Sequence, residues 1–569
     1  MDKSEDRARR QFFMQRLLGI DRRSSQQPTP RGLKIADIVC AILVSIGLGY
    51  LATLQAFDSL PLNADALAPF EEAKSLISNP DTHLFNIHVS RIASIFPDLT
   101  LNTLLQGILP KAGFLEIFSY YAWFTSSTFL ILATLLTNEI KQGKQLLTPK
   151  SIKLGLITVS LLNISHEFNI IYAHLITPVH HGGNIINTLL ILTLAIRSIR
   201  LQRSSGIQAL LIGMIVLATL SNKMVIFTAI LPSATIYILY EKGVERRNKL
   251  ISIIISTLIG IFVSGLFNQQ CASPEFNLLG TMSAFRQYFQ ISWITSASTL
   301  LSIGSIIYVI KKRARESELP QQTAAGLVAI SISSLSYFIY LPMLTSSGEA
   351  PLRYLCVAYA LITVFICFYI IQIEKENRAM IVLSLLVVLT IVSFQYPDRP
   401  AINIGKHQSL KQQILDRSDL IEPFKNDAAT FINKMGYNSY LGLGDYWMSG
   451  ATLATNSKIH IVPIHYTGIP DFWGATPQDI RRQIKHLNNT KAYLLTEDDT
   501  FKKEFEKKYG DPSTTWNYSS EDRKFTKEPI KTSNRLQIYD NPEIYNRVRK
   551  YSKRFKRQCD PSKPKYKVR

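Results

Sequence analysis

The chain has 569 residues, 47% of them hydrophobic, and its 63 Lys and Arg exceed its 42 Asp and Glu, a formal net charge of +21. A basic surplus of that size ordinarily points to nucleic acid or an anionic surface. Repeated apolar runs close to the roughly 20 residues needed to cross a bilayer instead make this a polytopic membrane protein, with no nucleic-acid partner expected.

Residues 1–34, with RARRQFFMQR and DRR, read as a basic cytoplasmic tail ahead of an uncleaved signal anchor. Spans are expected near Ile35–Leu54, Phe114–Leu136, Leu154–Ile171, Asn184–Ile199, Ile207–Leu220 and Val225–Tyr240. Five more follow near Leu250–Phe267, Ile291–Ile310, Ala324–Leu344, Leu355–Ile373 and Met380–Phe394. The whole unit, 35–396, is expected to be mainly α, with about eleven transmembrane helices and a large loop over 55–112.

Alternate connections carry RSIRLQR, KGVERRNK, KKRAR and EKENR, whereas the others hold cations nearly singly. The positive-inside rule then places the N-terminus in the cytoplasm. An odd number of spans puts the 55–112 loop and the C-terminal region together on the outer side of a membrane, expected to be the bacterial inner membrane. Over 397–545, the runs YLGLG, IHIVPI, AYLLT and RLQIYD read as strands, and DAATFINKM, PQDIRRQIKHL and TFKKEFEKKYG as helices. A small extracytoplasmic α/β domain is expected there, followed by a basic tail over 546–569 that is solvated or contacts lipid headgroups.

The first loop is dense in titratable groups: Asp58, Asp65, Glu71, Glu72, Asp81, His83, His88, Arg91 and Asp98 lie within 42 residues, 58–99. Asp65 follows the first span closely and reads either as a general base or as a surface or capping carboxylate. His88 and Arg91 are three apart and share a face if that piece is helical. They suit a phosphate, Arg as a fork and His as a hydrogen-bond or proton donor, or else pair within the loop with Asp81 or Asp98. Asp98, after Pro97, is placed to cap the helix that follows.

A second cluster holds His166, Glu167, His174, His180 and His181, with Gly182–Gly183 behind it. Its spacing matches no compact metal signature and divalent Mg or Mn sites prefer oxygen ligands, so His180 and His181 read as substrate hydrogen-bonding groups. The five cysteines (Cys40, Cys271, Cys356, Cys367, Cys559) have no paired spacing and imply neither a disulfide framework nor a zinc site. Arg353, in GEAPLRYL, either pairs with Glu349 or holds a lipid phosphate at the membrane mouth. In the C-terminal domain, Asp445, Tyr446 and Trp447 offer the carboxylate and aromatic faces with which proteins grip sugars, or else internal packing.

With NAD at Asn63–Asp65, HVSRIASIFPDL at His88–Leu99 and GLGDYWMSGATLATNSKIHIVPI at Gly442–Ile464, the chain resembles the C-type superfamily of membrane glycosyltransferases (GT-C), in a bacterial branch. That superfamily typically joins many spans to a carboxylate in the first outer loop and often an outer domain after the last span. The resemblance implies transfer of a sugar from a polyprenyl-phosphate donor to an extracytoplasmic glycan, lipid or protein acceptor, as part of cell-envelope or polysaccharide chemistry. It assigns Asp65 as the catalytic base and His88, Arg91 and Arg353 as the phosphate clamp. The cofactor is left open, a divalent metal included, and no signature here supports one. The WWD element of oligosaccharyltransferases is absent, so protein N-glycosylation is not implied. The rival readings are other glycan-lipid machinery (an O-antigen polymerase or ligase, or a lipid-linked-sugar flippase) and a non-catalytic transporter or scaffold.

Overall fold

The apolar runs fold into helices that pair by burying small and apolar side chains against each other. The computed structural model describes residues 35–56, 64–78, 84, 88–89, 94–141, 148–164, 166–178, 182–201, 204–266, 268–269, 282–283, 286–287, 289–290, 292–314, 319–338, 355–372, 423–444, 459, 461–464, 485, 487 and 489–554. Helix α1 spans Ile35–Ala56, α2 Ala64–Ser78, α3 Thr100–Ile108, α4 Phe114–Lys141, α5 Thr148–Ile164, α6 His166–Ile176 and α7 Gly182–Arg200. Then come α8 Ser205–Ser221, α9 Leu231–Tyr240, α10 Gly243–Ser264, α11 Trp293–Ala314, α12 Gln321–Leu335 and α13 Cys356–Gln372.

Among the described residues, α7, α10 and the 294–312 stretch of α11 are long and apolar enough to cross a membrane, and four further apolar helices are shorter. They differ in what they face. In α7, 89% of the spanning window is buried within the protein, against 28% in α10 and 33% in α11. Leu258 and Phe262 of α10 and Leu300 and Ile310 of α11 are exposed, and an apolar face of that extent is stable against lipid tails, not water. Small residues permit the close crossings: a Cβ on Gly260 of α10 would lie 2.8 Å from Thr219 Cβ of α8. Of the expected spans, Leu154–Ile171 is helical in α5 and α6 on either side of residue 165, which lies outside the described residues. The eleventh, Met380–Phe394, lies outside the described residues.

The C-terminal region forms a six-stranded mixed sheet. In order across the sheet, its strands are β4 (Ile461–Pro463), β3 (Leu441–Gly444), β5 (Ala492–Thr496), β8 (Arg535–Tyr539), β6 (Thr514–Ser519) and β7 (Lys524–Thr526). The first three are parallel and the rest antiparallel. Because side chains alternate along a strand, β5 feeds two cores. Ala492 and Leu494 join Phe501, Phe505, Ile544 and Val548 on one face, while Tyr493 and Leu495 join Phe424, Ala428 and Ile432 on the other. The first core is covered by α15 (Asp499–Tyr509) and α16 (Pro542–Arg554), the second by α14 (Pro423–Lys434).

All four expected strands are present, and so are the helices expected at DAATFINKM and TFKKEFEKKYG. The β6–β7 hairpin and α16 complete the sheet; α16 runs through the 545/546 boundary and buries Ile544 and Val548. Most of the PQDIRRQIKHL helix lies outside the described residues. Two further short strands, β1 (His88–Val89) and β2 (Asn268–Gln269), pair in parallel.

Candidate functional site

The described parts of the first loop, 64–78 and 94–112, pack into the helical bundle and are not an open solvated connection. Helix α2 carries Asp65 at its second position and packs on α3, where Gln106 Nε2 donates to Phe70 O at 2.8 Å and Phe70 meets Phe114 of α4 edge-on at 5.3 Å. The segment before α3 is a kinked turn, Ile95–Leu99, packed against α2, α7 and α8 and reached from α4 by Tyr121. Ser94 enters it with φ 43°, in the left-handed region that a residue with a Cβ adopts at a cost of about 1–3 kcal/mol.

Its polar backbone is tied down from outside. Ser94 N–H donates to Ser221 O at 3.0 Å, Phe96 N–H to Ser221 Oγ at 2.8 Å, and Asn187 Nδ2 to Phe96 O at 3.1 Å. The turn therefore has one position because two helices specify it.

Asp98 is buried at 2% exposure, and the Tyr121 hydroxyl of α4 donates to its Oδ1 at 2.5 Å. Its backbone carbonyl accepts from Asn102 Nδ2 at 3.0 Å. The N-cap position of α3 is Leu99, which makes no side-chain cap. Asp98, expected as a cap, instead sits one residue before the N-cap and turns its carboxyl inward to a tertiary bond from Tyr121. Gly183, at the start of α7, permits the approach: a Cβ there would lie 2.8 Å from both Asp98 Oδ1 and Pro97 Cδ. One residue on, Asn184 is buried at 2% exposure, and among the described residues neither its Oδ1 nor its Nδ2 has a hydrogen-bond partner. Asn187 uses its Nδ2, while its Oδ1 has no hydrogen-bond partner among the described residues. Leaving such groups unmatched costs about 1–3 kcal/mol each, so a buried carboxamide with both ends unused is equipped to bind a polar group.

Of the residues expected from the sequence, Asp65 lies on α2 and His88 in β1, whose partner in β2 is Asn268. Arg91, His180, His181, Arg353, Asp445, Tyr446 and Trp447 lie outside the described residues. His180 and His181 precede α7 directly, and Asp445–Trp447 follow the carboxyl end of β3 directly. His166 and Glu167 begin α6, and His174, half-buried, lies near its end. Among the described residues, no three His, Cys, Asp or Glu gather as metal ligands. Sequence reasoning missed Tyr121, Asn184 and Asn187. Each stands in an apolar run where its polarity was the available signal.

No protein-family model and no curated protein matches the chain. Among solved structures, it is similar to the crystal structure of the Archaeoglobus fulgidus oligosaccharyltransferase in complex with Zn and sulfate. The TM-score is 0.42 and the identity 10%, over 89% of this chain and 76% of that one. A likeness at that level carries no argument about activity.

Proposed function

We propose that the protein is a membrane glycosyltransferase that moves a sugar from a polyprenyl-phosphate donor to an extracytoplasmic acceptor with inversion. The observation that carries the reading is convergence at one end of the bundle. Helix α2, which carries Asp65 near its start, packs through Ala73 on the Ile95–Leu99 turn with its buried Asp98, and the start of α7 meets the same turn at Gly183. The superfamily resemblance stated for Asn63–Asp65 adds the role of each part.

In this mechanism the Asp65 carboxylate takes the proton of an acceptor hydroxyl as its oxygen attacks the anomeric carbon. The bond from that carbon to the donor phosphate breaks on the opposite face, and the polyprenyl phosphate leaves with the electron pair. His88, Arg91 and Arg353 stabilise its negative charge, with His180 and His181 holding the donor. Asn184, with both amide atoms unused, supplies paired hydrogen bonds to the bound substrate. Asp98 and Tyr121 are positioning residues that hold the turn against α7.

In the outer domain, Asp445, Tyr446 and Trp447 bind the acceptor. The chain leaves β3 for β4 on one side and returns to β5 on the other, and ligands of open α/β sheets sit at the carboxyl ends of strands at such a switch point.

Glycan mass spectrometry of cells with and without the protein tests the reading, followed by transfer assays with purified wild type and Asp65→Asn. An unchanged glycan profile would remove it. The topology of eleven spans with the C-terminal domain outside is tested by reporter fusions after Ile404, expected to report the extracytoplasmic side.

A further inference from the structure

The C-terminal domain has two unlike outer faces. One layer, α14, contributes Lys425, Asp427 and Lys434, with Lys425 buried and Asp427 bonded to Arg523 at 3.1 Å and to the Tyr518 hydroxyl at 2.7 Å. The opposite layer pairs α15 and α16 over a single core of Phe501, Phe505, Tyr509, Ile544 and Val548. Its solvent side is built from Lys503, Lys507, Arg549 and Lys550, all exposed, with Lys502, Lys508 and Arg547 half-buried at the flanks.

The acidic groups of this layer are largely engaged or peripheral. Asp499 holds Arg535 at 2.6 Å, Glu506 accepts from Gln537 at 2.7 Å, and Asp498 caps α15 through Thr500 and Phe501 N–H. Glu504 and Glu543 remain on the surface. Lys508 and Arg547 approach closely enough that burial, then the Arg547 charge, lower the lysine's pKa, opposed by Glu543. Cations crowded on one face are a cost in the isolated domain that an anionic surface would relieve. The sequence continues the pattern: from Asn546 to Arg569 there are eleven Lys and Arg and one acid, Asp560.

We propose that the α15–α16 face docks on the phosphate headgroups of the bilayer that holds the apolar helices, fixing the C-terminal domain against the membrane. Three observations favour a planar anionic surface. The exposed cations are spread across two helices that share one core. The apolar side of α16 is committed to the domain core through Ile544 and Val548, so its polar side is what remains to be presented. The domain belongs to a chain whose α10 and α11 expose apolar flanks, so a bilayer surface is always near. Each Lys or Arg held near an anionic leaflet contributes about 1 kcal/mol, and the effect is screened within a Debye length. The inference is independent of the proposed chemistry, since it uses no residue of the candidate site.

The test is amide hydrogen exchange on the full-length protein in nanodiscs of phosphatidylcholine alone or with phosphatidylglycerol. Exchange over 499–509 and 542–554 is expected to slow by roughly three-fold or more in the anionic discs, an effect lost at high salt. A Lys503→Gln/Lys507→Gln/Arg549→Gln/Lys550→Gln variant should lose that difference. Lys524→Gln/Lys531→Gln, on exposed positions elsewhere in the domain, should keep it. Equal exchange in the two discs, or a lipid-dependent difference that survives the quadruple variant, overturns the proposal. So does equal protection by inorganic phosphate in neutral discs, which would assign the face to soluble anions.

Discussion

Helices α4 and α7 run side by side, and their two ends are built on opposite electrostatic plans. At one end Glu139, 3% exposed, is matched by Arg197 and Arg200 at 3.2 Å each and accepts from Gln322 Nε2 at 3.1 Å. Beside it, Lys249 meets Glu241 at 2.5 Å, donates to Ser198 O at 2.9 Å and lies 5.3 Å from the Tyr237 ring centroid. At the other end stand the phenol-bound carboxylate of Asp98, the left-handed Ser94 and the unmatched carboxamide of Asn184.

The comparison teaches what a buried polar group is for. A carboxylate met by two guanidiniums and an amide is satisfied within the fold and locks helices together. A buried amide with no partner destabilises the isolated protein, and a fold retains such a group where a ligand can complete it.

The largest effect expected is on stability at the matched end. Glu139→Gln removes the carboxylate that Arg197 and Arg200 share, and breaking a buried ion pair from one side costs about 3–5 kcal/mol. Thermal unfolding in detergent should show that loss, while single-turnover transfer by the folded fraction stays close to wild type. Loss of turnover with unchanged stability would erase the contrast between the two ends.

At the other end the expected signs reverse. Asp65→Asn removes proton acceptance at nearly constant volume, and turnover should fall by at least about 100-fold, roughly 2.7 kcal/mol of transition-state stabilisation. Its melting temperature should be unchanged. If Asp98→Asn abolishes turnover while Asp65→Asn does not, the base is Asp98 and α2 is scaffolding.

Tyr121→Phe sharpens the comparison further. It strips a donor from a buried carboxylate, which costs about 1–3 kcal/mol, and it frees the turn that leads from α2 to α3. Both stability and turnover should therefore decline together. Asn184→Leu separates the remaining roles: it removes an unsatisfied amide, so stability should hold or rise while substrate affinity falls. A variant that binds substrate normally would show that Asn184 serves no ligand.

The smallest effect lies in the C-terminal domain, where burial and then the Asp427 carboxylate push the Tyr518 hydroxyl up to about 12. The raised value favours the protonated phenol in the fold. Its contribution is fully present below the unfolded value of about 10 and is lost as the pH rises towards 12. Circular dichroism across that window should show the wild type losing stability more steeply than Tyr518→Phe.

Hydropathy alone determined where most helices lie, because a run of apolar residues near 20 has few other stable states once a bilayer is present. Short apolar runs likewise marked β3, β4, β5 and β8. The β6–β7 hairpin escaped because TTWNYS and KFT are short and half-exposed, and α16 escaped because its charge reads as a tail. Ile544 and Val548 become a core seam only once β5 and α15 exist to receive them. The candidate site divides the same way. Composition marked the first loop as chemically rich and singled out Asp65, His88 and Arg91. It could not show that Asp98 turns inward to Tyr121, 23 residues away, or that Gly183 is where α7 admits them. Those facts depend on the crossing of α4, α7 and α8, and a crossing is set by side chains from distant parts of the chain, which no local pattern encodes.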